Sequence, residues 1–532
     1  MSNENDFKVL VSDSLAEEGI KIMEEVAQVD VKTGLSEDEL VEIIKDDDAL
    51  VVRSGTQVNE RVISAGEKLK VIGRAGVGVD NIDVNKATEK GVLVVNAPEG
   101  NTISASEHTM ALLLSLVRNI PGASFSLKQG KWDRKNFVGV ELYKKTLGII
   151  GLGRIGGEVA KKARAFGMNV WGYDPYISRE RAQKIGIVTK SLEDIFAHAD
   201  IISIHVPASA ASKPIIAEAE LAKMKDGVRI INCARGGLVD EKALYEALNS
   251  GKVSGAALDD FEEEPPEDNP LIKLDNVIAT PHLGASTEEA QVNVAVQVAD
   301  HVVNALKDEP IEMAVNATVL PSDVLTEMVP YIDLMKTMGR FYMQAFDGRV
   351  EKLEVIYNGE INDYPLSPLT TALLIGILRV MLNDNVNFVN APFLAEQRGV
   401  KFKEVKSTSR TDYQNLITVN ITTSDDTFTI AGTLFEGTEM RIVQIGEYKV
   451  DVSPSQYMIV INYIDKPGVI GNIGSILGRN NINIGNMQVG RKHNKGEAIM
   501  VVQVDSQVPE SVVKELEKVD GIISTCFVEI PQ

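Results

Sequence analysis

Two cysteines, two tryptophans and six histidines are all that a chain of 532 residues holds of these types. Cys233 and Cys526 stand far apart, and no Cys/His spacing fits a zinc site, so no metal is expected. The opening MSNENDFKVLVSDSL has no basic, apolar leader; both cysteines therefore read as reduced thiols and the chain as cytoplasmic. Long apolar runs are missing too. The best of them, TALLIGILRVML, is interrupted by Arg379 and is too short to span a bilayer. Positive charge is in deficit, with 54 Lys and Arg against 76 Asp and Glu and a net charge of −22. That excludes partners demanding a basic surface, such as a phosphate backbone or an anionic membrane. It leaves open a small anionic ligand, which needs only a local group of arginines.

What the chain does have is core. Hydrophobic residues make up 44% and charged residues 24%, the balance of a folded protein, and the length suggests about three or four domains. Up to Gly100 the chain alternates helical stretches with continuous β-branched runs: KVLVSDS, ALVVRSG, LKVIGRAG, VLVVNAPEG. Continuous rather than alternating apolarity marks parallel strands buried on both faces. From Thr146 the pattern restarts in six runs, TLGIIGLG, NVWGYDP, DIISIHVP, VRIINCARGG, GAALDDFEEEP and NVIATPHLGAS. The chain is therefore expected to be α/β, with two doubly wound units in tandem, flavodoxin-like and then Rossmann. Residues 1–98 form the first, joined by 286–316 if the helix after His282 crosses back; 99–285 form the second. An α+β domain is expected over 317–453, and a ferredoxin-like βαββαβ module over 454–532.

The firmest motif is GLGRIG, with Gly151, Gly153 and Gly156 directly after a strand and opening a helix. Glycines there permit a tight turn and let a pyrophosphate approach the helix N-terminus. The next strand ends in Asp174, 18 residues past Gly156, placed to accept from a ribose diol. Pro175 and Tyr176 follow without an adjacent arginine, which favours NAD over NADP. Arg235, the stretch Asp259 to Glu264, and His282 all fall at strand ends, where open α/β sheets bind ligands. An arginine among the small residues of NCARGG calls for an anion or a structural ion pair. No role is assigned to His108, His198, His205, His301 or His493.

GLGRIG with YDP, NCARGGLVDE, ALDDFEEEPP and TPHLGAST, in this order, resemble the D-isomer-specific 2-hydroxyacid dehydrogenase family. GRAGVGVDNID and RKNFVGVELYKKTLGIIGLGRIG narrow the resemblance to members acting on 3-phospho-D-glycerate. The middle domain resembles the intervening domain of their long form, and the end of the chain an ACT domain. The resemblance implies NAD-dependent oxidation of that substrate, the entry to L-serine synthesis, with Arg235, Glu264 and His282 as catalytic trio. Substrate contacts fall on Arg53, Arg74, Asn101, Arg235, His282 and the GVGVD backbone. Arg134 and Lys135 could add charge from a neighbouring subunit. Cofactor contacts fall on the three glycines and Asp174, and on Val77, Arg154, Ile155, Val206, Cys233, Ala234, Asp259, Gly284 and Ala285. Val206 departs from the more usual Thr or Leu, and its loop lacks the common threonine. Tyr463, Asp465 and Asn483 are implied to bind L-serine between paired ACT domains of a homo-oligomer, expected to be a tetramer. Some relatives carry His and Asn at the first two of these positions, and a dimerisation module without ligand is the other reading. Two rival functions stand: a hydroxypyruvate or glyoxylate reductase, and an NAD-sensing corepressor-like binding protein.

Overall fold

The computed structural model describes residues 7–207, 214–311, 313–320, 322–382, 386–424, 426–492 and 496–531. Five parallel strands make the first sheet: β1 (Phe7–Val11), β2 (Ala27–Val31), β3 (Ala49–Val52), β4 (Val71–Arg74) and β5 (Leu93–Asn96). Their order is β2-β1-β3-β4-β5, so the topology reverses between β1 and β3. β2, with its sequence AQVDV, lacks the continuous apolar run of the others because it lies at an edge and is half-wetted.

The second sheet is also parallel: β6 (Thr146–Ile150), β7 (Asn169–Tyr173), β8 (Val188–Thr189), β9 (Ile201–Ile204), β10 (Val228–Asn232), β11 (Val253–Leu258) and β12 (Val277–Ala279). Its order is β12-β11-β10-β9-β6-β7-β8, with the reversal between β6 and β9. β8, two residues long, is the one strand of this sheet that the sequence pattern does not mark.

The helix Glu288–Leu306 leaves the second unit and packs on the first. Thr287 caps it by accepting from the Ala290 amide, and Glu288 and Glu289 complement its positive end. Val294, Val298 and Val302, one helical turn apart, enter the core of the first sheet. They approach so closely that a Cβ on Gly73 would lie 2.7 Å from Val302. The first unit is thus built from two separate stretches of chain.

Beyond it, β13 (Val350–Gly359), β14 (Lys401–Ser407), β15 (Asn415–Thr423), β16 (Thr427–Phe435), β17 (Glu439–Ile445) and β18 (Tyr448–Val452) form a mixed sheet ordered β14-β13-β15-β16-β17-β18. The helices Ser322–Ala345 and Ser367–Leu382 share its core. The last module pairs β19 (Tyr457–Ile464), β20 (Ile484–Arg491), β21 (Glu497–Val504) and β22 (Ile522–Glu529) antiparallel in the order β20-β21-β19-β22. One face of that sheet carries its two helices; Met458, Val460 and Val501 on the other join the core of the middle domain. Among the described residues no single helix is long and apolar enough to cross a membrane.

Candidate active site

The glycine loop follows β6 at the reversal of the second sheet, where such sheets take ligands. Gly151 has φ +94°, and a Cβ there would strike the His205 carbonyl at 2.4 Å. Gly156 is tighter still, 2.0 Å from the Gly151 carbonyl. Gly153 caps the helix Arg154–Ala165, and nothing lies within 4 Å of where its Cβ would be. The helix N-terminus is therefore bare on the side a pyrophosphate would approach. Asp174, just past β7, ties itself to this loop by accepting from the Leu152 and Tyr176 amides at 2.8 Å each. A cradle with open space at Gly153 and a carboxylate beside it fits a dinucleotide. Arg154 pairs with Glu99 at 2.9 Å, Ile155 and Val206 are partly buried, and Cys233 is buried, its thiol pushed up chiefly by burial. Residues 208–213, in the loop that lacks the common threonine, lie outside the described residues, as does His493.

Directly after β11 the chain carries Asp259 and Asp260, and it uses them differently. Asp259 is 1% exposed and organises the loop that bears His282. It accepts from Leu283 N, Gly284 N and Thr280 Oγ1 at 2.8, 2.8 and 2.6 Å, and meets His108 Nε2 at 3.1 Å. Burial would raise its pKa, but these hydrogen bonds win and hold the carboxyl below its ordinary value. Both oxygens of Asp259 are thus engaged within the protein. The same contacts stabilise an uncommon backbone: His282 has φ +54°, a conformation costing a non-glycine residue about 1–3 kcal/mol. Gly284 and Ala285 continue this loop, and Ser104 Oγ donates to the Gly284 carbonyl.

Glu264 turns inward to His282, with Oε2 and Oε1 at 3.0 and 3.3 Å from Nδ1. Its Oε1 also accepts from the Phe261 amide at 3.1 Å, which fixes the carboxylate. Glu262 is held elsewhere, its backbone amide donating to the Glu241 carboxylate at 2.7 Å. On the other side of the ring, Asp260 Oδ1 lies 3.5 Å from Nε2. Burial alone would lower the His282 pKa; Asp260 and Glu264 outweigh it, and the imidazole is raised. Sequence reasoning gave Asp260 no role. Its signal was two aspartates in succession after a buried strand.

Arg235 meets the cleft from the second unit, and Arg74 and Arg53 from the first. Arg74 ends β4; Arg53 and Asp13 follow β3 and β1 at the reversal of the first sheet. The guanidinium groups of Arg74 and Arg235 lie over the Gly76–Val77–Gly78 backbone, where a Cβ would sit 1.5 Å from the former and 2.1 Å from the latter. A side chain at Gly76 or Gly78 would displace one of these arginines. Burial first, then Arg235 and Arg53, brings Arg74 down to about 10. Its Nε has no partner among the described residues, and neither does Asn101 Oδ1 at the head of the helix Thr102–Arg118. Arg235 pairs across the cleft with Asp80 at 3.3 Å, a partner the sequence did not announce. Three cations cluster here with one exposed aspartate among them, an arrangement able to receive an anion.

In the last module the proposed effector residues do not meet within one chain. Tyr463 is fully buried, its phenol pushed up by burial and then by Asp465, which pairs with Arg491 at 3.1 Å. Asn483 donates to Asp505 at 2.6 Å. The register places Tyr463 beside Ala498 and Asn483 beyond the Ile484–Val504 pair, at opposite ends of the sheet.

Comparison with known proteins agrees with this geometry. Residues 110–284 match the model described as D-isomer specific 2-hydroxyacid dehydrogenase, NAD binding domain. Residues 327–446 match the D-3-phosphoglycerate dehydrogenase intervening domain, and 457–521 the ACT domain. Among solved structures, D-lactate dehydrogenase from Aquifex aeolicus, complexed with NAD and lactic acid, is 31% identical with a TM-score of 0.52. The match covers 57% of this chain and 96% of that one. A D-3-phosphoglycerate dehydrogenase of Methanocaldococcus jannaschii is 48% identical over 98% of this chain and all of its own length. One of Bacillus subtilis is 45% identical over 99% of this chain and likewise all of its own. The chain belongs to the D-3-phosphoglycerate dehydrogenase family, within the D-isomer-specific 2-hydroxyacid dehydrogenases.

Proposed function

We propose that the protein oxidises 3-phospho-D-glycerate to 3-phosphooxypyruvate with NAD, the first step of L-serine biosynthesis. The observation that carries this reading is the convergence of Arg53 and Arg74 from the first unit with Arg235, which lies on the same side of the cleft as the Glu264–His282 pair. A substrate bearing both carboxylate and phosphate needs that many cations; a simple 2-hydroxy acid does not. His282 Nε2 takes the proton of the substrate hydroxyl, because Nδ1 is held by Glu264. Glu264 fixes the ring tautomer and stabilises the imidazolium. Arg235 grips the carboxylate and polarises the reacting oxygen, while Arg53 and Arg74 meet the phosphate. NAD, when bound, supplies the hydride acceptor; Gly151, Gly153 and Gly156 admit its pyrophosphate and Asp174 its ribose. Steady-state oxidation of 3-phosphoglycerate and of glycerate tests the reading. Efficiency at least tenfold higher on the phosphorylated substrate is expected, and equal efficiency favours the hydroxypyruvate or glyoxylate reductase. NADH binding without turnover, with Glu264→Gln changing nothing, would instead favour the corepressor-like reading.

A homo-oligomer, taken as a tetramer, goes with this function. It is supported by exposed apolar side chains around Phe125, Leu127, Trp132, Val138 and Tyr143. Exposed Arg134 and Lys135 lie in the same stretch and reach a neighbour's cleft on this reading. L-serine is the proposed effector, with Tyr463 and Asp465 of one copy facing Asn483 of another, since one chain keeps them apart. Serine titration of activity and of thermal stability tests this; no response in either removes the effector. A cytoplasmic location goes with the same function.

A further inference from the structure

The catalytic histidine touches a second carboxyl that the proposed mechanism does not use. Asp260 is 4% exposed, and its Oδ1 lies 3.5 Å from His282 Nε2, the nitrogen turned to the substrate. One ligand atom from each of Asp260, Glu264 and His282 can be chosen so that all three lie within 4.8 Å of one another. The ring is therefore bracketed: Glu264 at one nitrogen, Asp260 at the other. Asp259, next in the chain, is spent on the loop and on His108, so it does not compete for the imidazole directly. Arg235 is the remaining charge facing Asp260.

We propose that Asp260 is a positioning residue that lies against the substrate-facing nitrogen of His282 and makes the base a three-membered, proton-sharing group rather than a pair. The inference rests on reading His282 as the proton acceptor. At 3.5 Å the Asp260 contact is longer than a formed hydrogen bond of ~2.7–3.2 Å, so Nε2 stays available to the substrate hydroxyl while charge orients the ring. When the hydroxyl proton arrives, the O–H bond breaks, an Nε2–H bond forms, and the imidazolium lies between two carboxylates. Once Nε2 is protonated its charge draws the Asp260 carboxylate in from 3.5 Å, and across the hydrogen bond that then forms the proton can pass to Oδ1, breaking Nε2–H and forming O–H, with no other reactant needed. Burial, above all, pushes the Asp260 carboxyl up to about 6, within reach of the imidazole, so neither group titrates alone. The charged groups facing the pair are Glu264, Asp259 and Arg235, and all three stay in place when Asp260 is changed.

The test is the pH dependence of kcat/KM for 3-phosphoglycerate oxidation by the full chain with saturating NAD, in wild type, Asp260→Asn and His282→Asn. Asp260 raises the imidazole pKa, so removing its charge lowers it. The acidic limb of Asp260→Asn should move at least about half a pH unit downward while NADH affinity is unchanged. Limbs that coincide overturn the proposal. If His282→Asn keeps wild-type turnover, it is the reading of His282 that fails instead. Should Asp260→Asn lose NADH binding through misfolding, an NMR titration of the His282 imidazole in wild-type protein decides. Two coupled steps support the shared proton, and a single independent step overturns it.

Discussion

Replacing Glu264 with Gln keeps the shape of the side chain, removes its charge and forces a choice the carboxylate never faces. In the native site Oε1 accepts from the Phe261 amide at 3.1 Å, and both oxygens lie within 3.3 Å of His282 Nδ1. A glutamine has one oxygen. If it serves Phe261, its NH₂ group faces Nδ1, which must then be the bare nitrogen, and the ring proton moves to Nε2. That tautomer cannot accept the hydroxyl proton. If the oxygen serves Nδ1, the Phe261 amide meets an N–H, and the loop Phe261–Glu264 must shift. Either way kcat falls, by about 10²–10⁴-fold, the range for a misplaced general base. The charge effect is separate. A pair at ~4 Å and effective dielectric near 20 is worth about 4 kcal/mol, and an exposed pair below about 1. The two side chains here are 50% and 40% exposed, so an intermediate ~1.5 kcal/mol applies, about one pKa unit. Glu264 raises the imidazole pKa, and oxidation requires the unprotonated ring. Its loss therefore moves the acidic limb of the kcat/KM profile about one pH unit downward. Steady-state NADH formation between pH 5.5 and pH 9.5, about four units, measures both effects. A Gln variant with native kcat and an unmoved limb would refute the assignment of Glu264, and Glu262→Gln should leave both unchanged.

Further outcomes follow from the same structure. Arg74→Gln should lower kcat/KM on 3-phosphoglycerate by about 10–100-fold, the loss of a charge-assisted contact, and on glycerate by less than about threefold; steady-state assays on both substrates read this out. Gly153→Ala meets nothing within 4 Å, so thermal stability should hold while NADH affinity falls about tenfold or more, read by fluorescence titration. Gly156→Ala drives its Cβ to 2.0 Å from the Gly151 carbonyl and should lose stability as well as binding. Gly376→Ala, 2.2 Å from the Lys336 carbonyl where two middle-domain helices cross, should destabilise by about 1–3 kcal/mol in urea unfolding without changing KM for either substrate.

Much of this architecture is legible in the residues. Parallel strands buried on both faces leave continuous apolar runs, as in ALVV and TLGII, and a dinucleotide turn leaves glycines where a Cβ would strike a carbonyl. The short edge strand Val188–Thr189 left no such trace, since two half-wetted residues carry no period. The three glutamates after Phe261 separate only partly by sequence: the motif marks Glu264, but nothing local shows that the Glu262 backbone amide is held by Glu241.

The sequence by itself determined which elements form and where strands end, because backbone propensity, burial pattern and glycine placement are local properties. It also supplied the arginines, carboxylates and histidine at those ends. Only the tertiary structure decided how they share the work. It gave Asp259 to the His282 loop and Asp260 to the imidazole, although the two stand side by side. It laid Arg74 and Arg235 over one glycine backbone from two different units, and it set Tyr463 and Asn483 at opposite ends of a sheet. Those outcomes depend on which strand ends meet across a cleft and on which side of the chain each residue emerges. Such distances are fixed by packing between elements far apart in sequence.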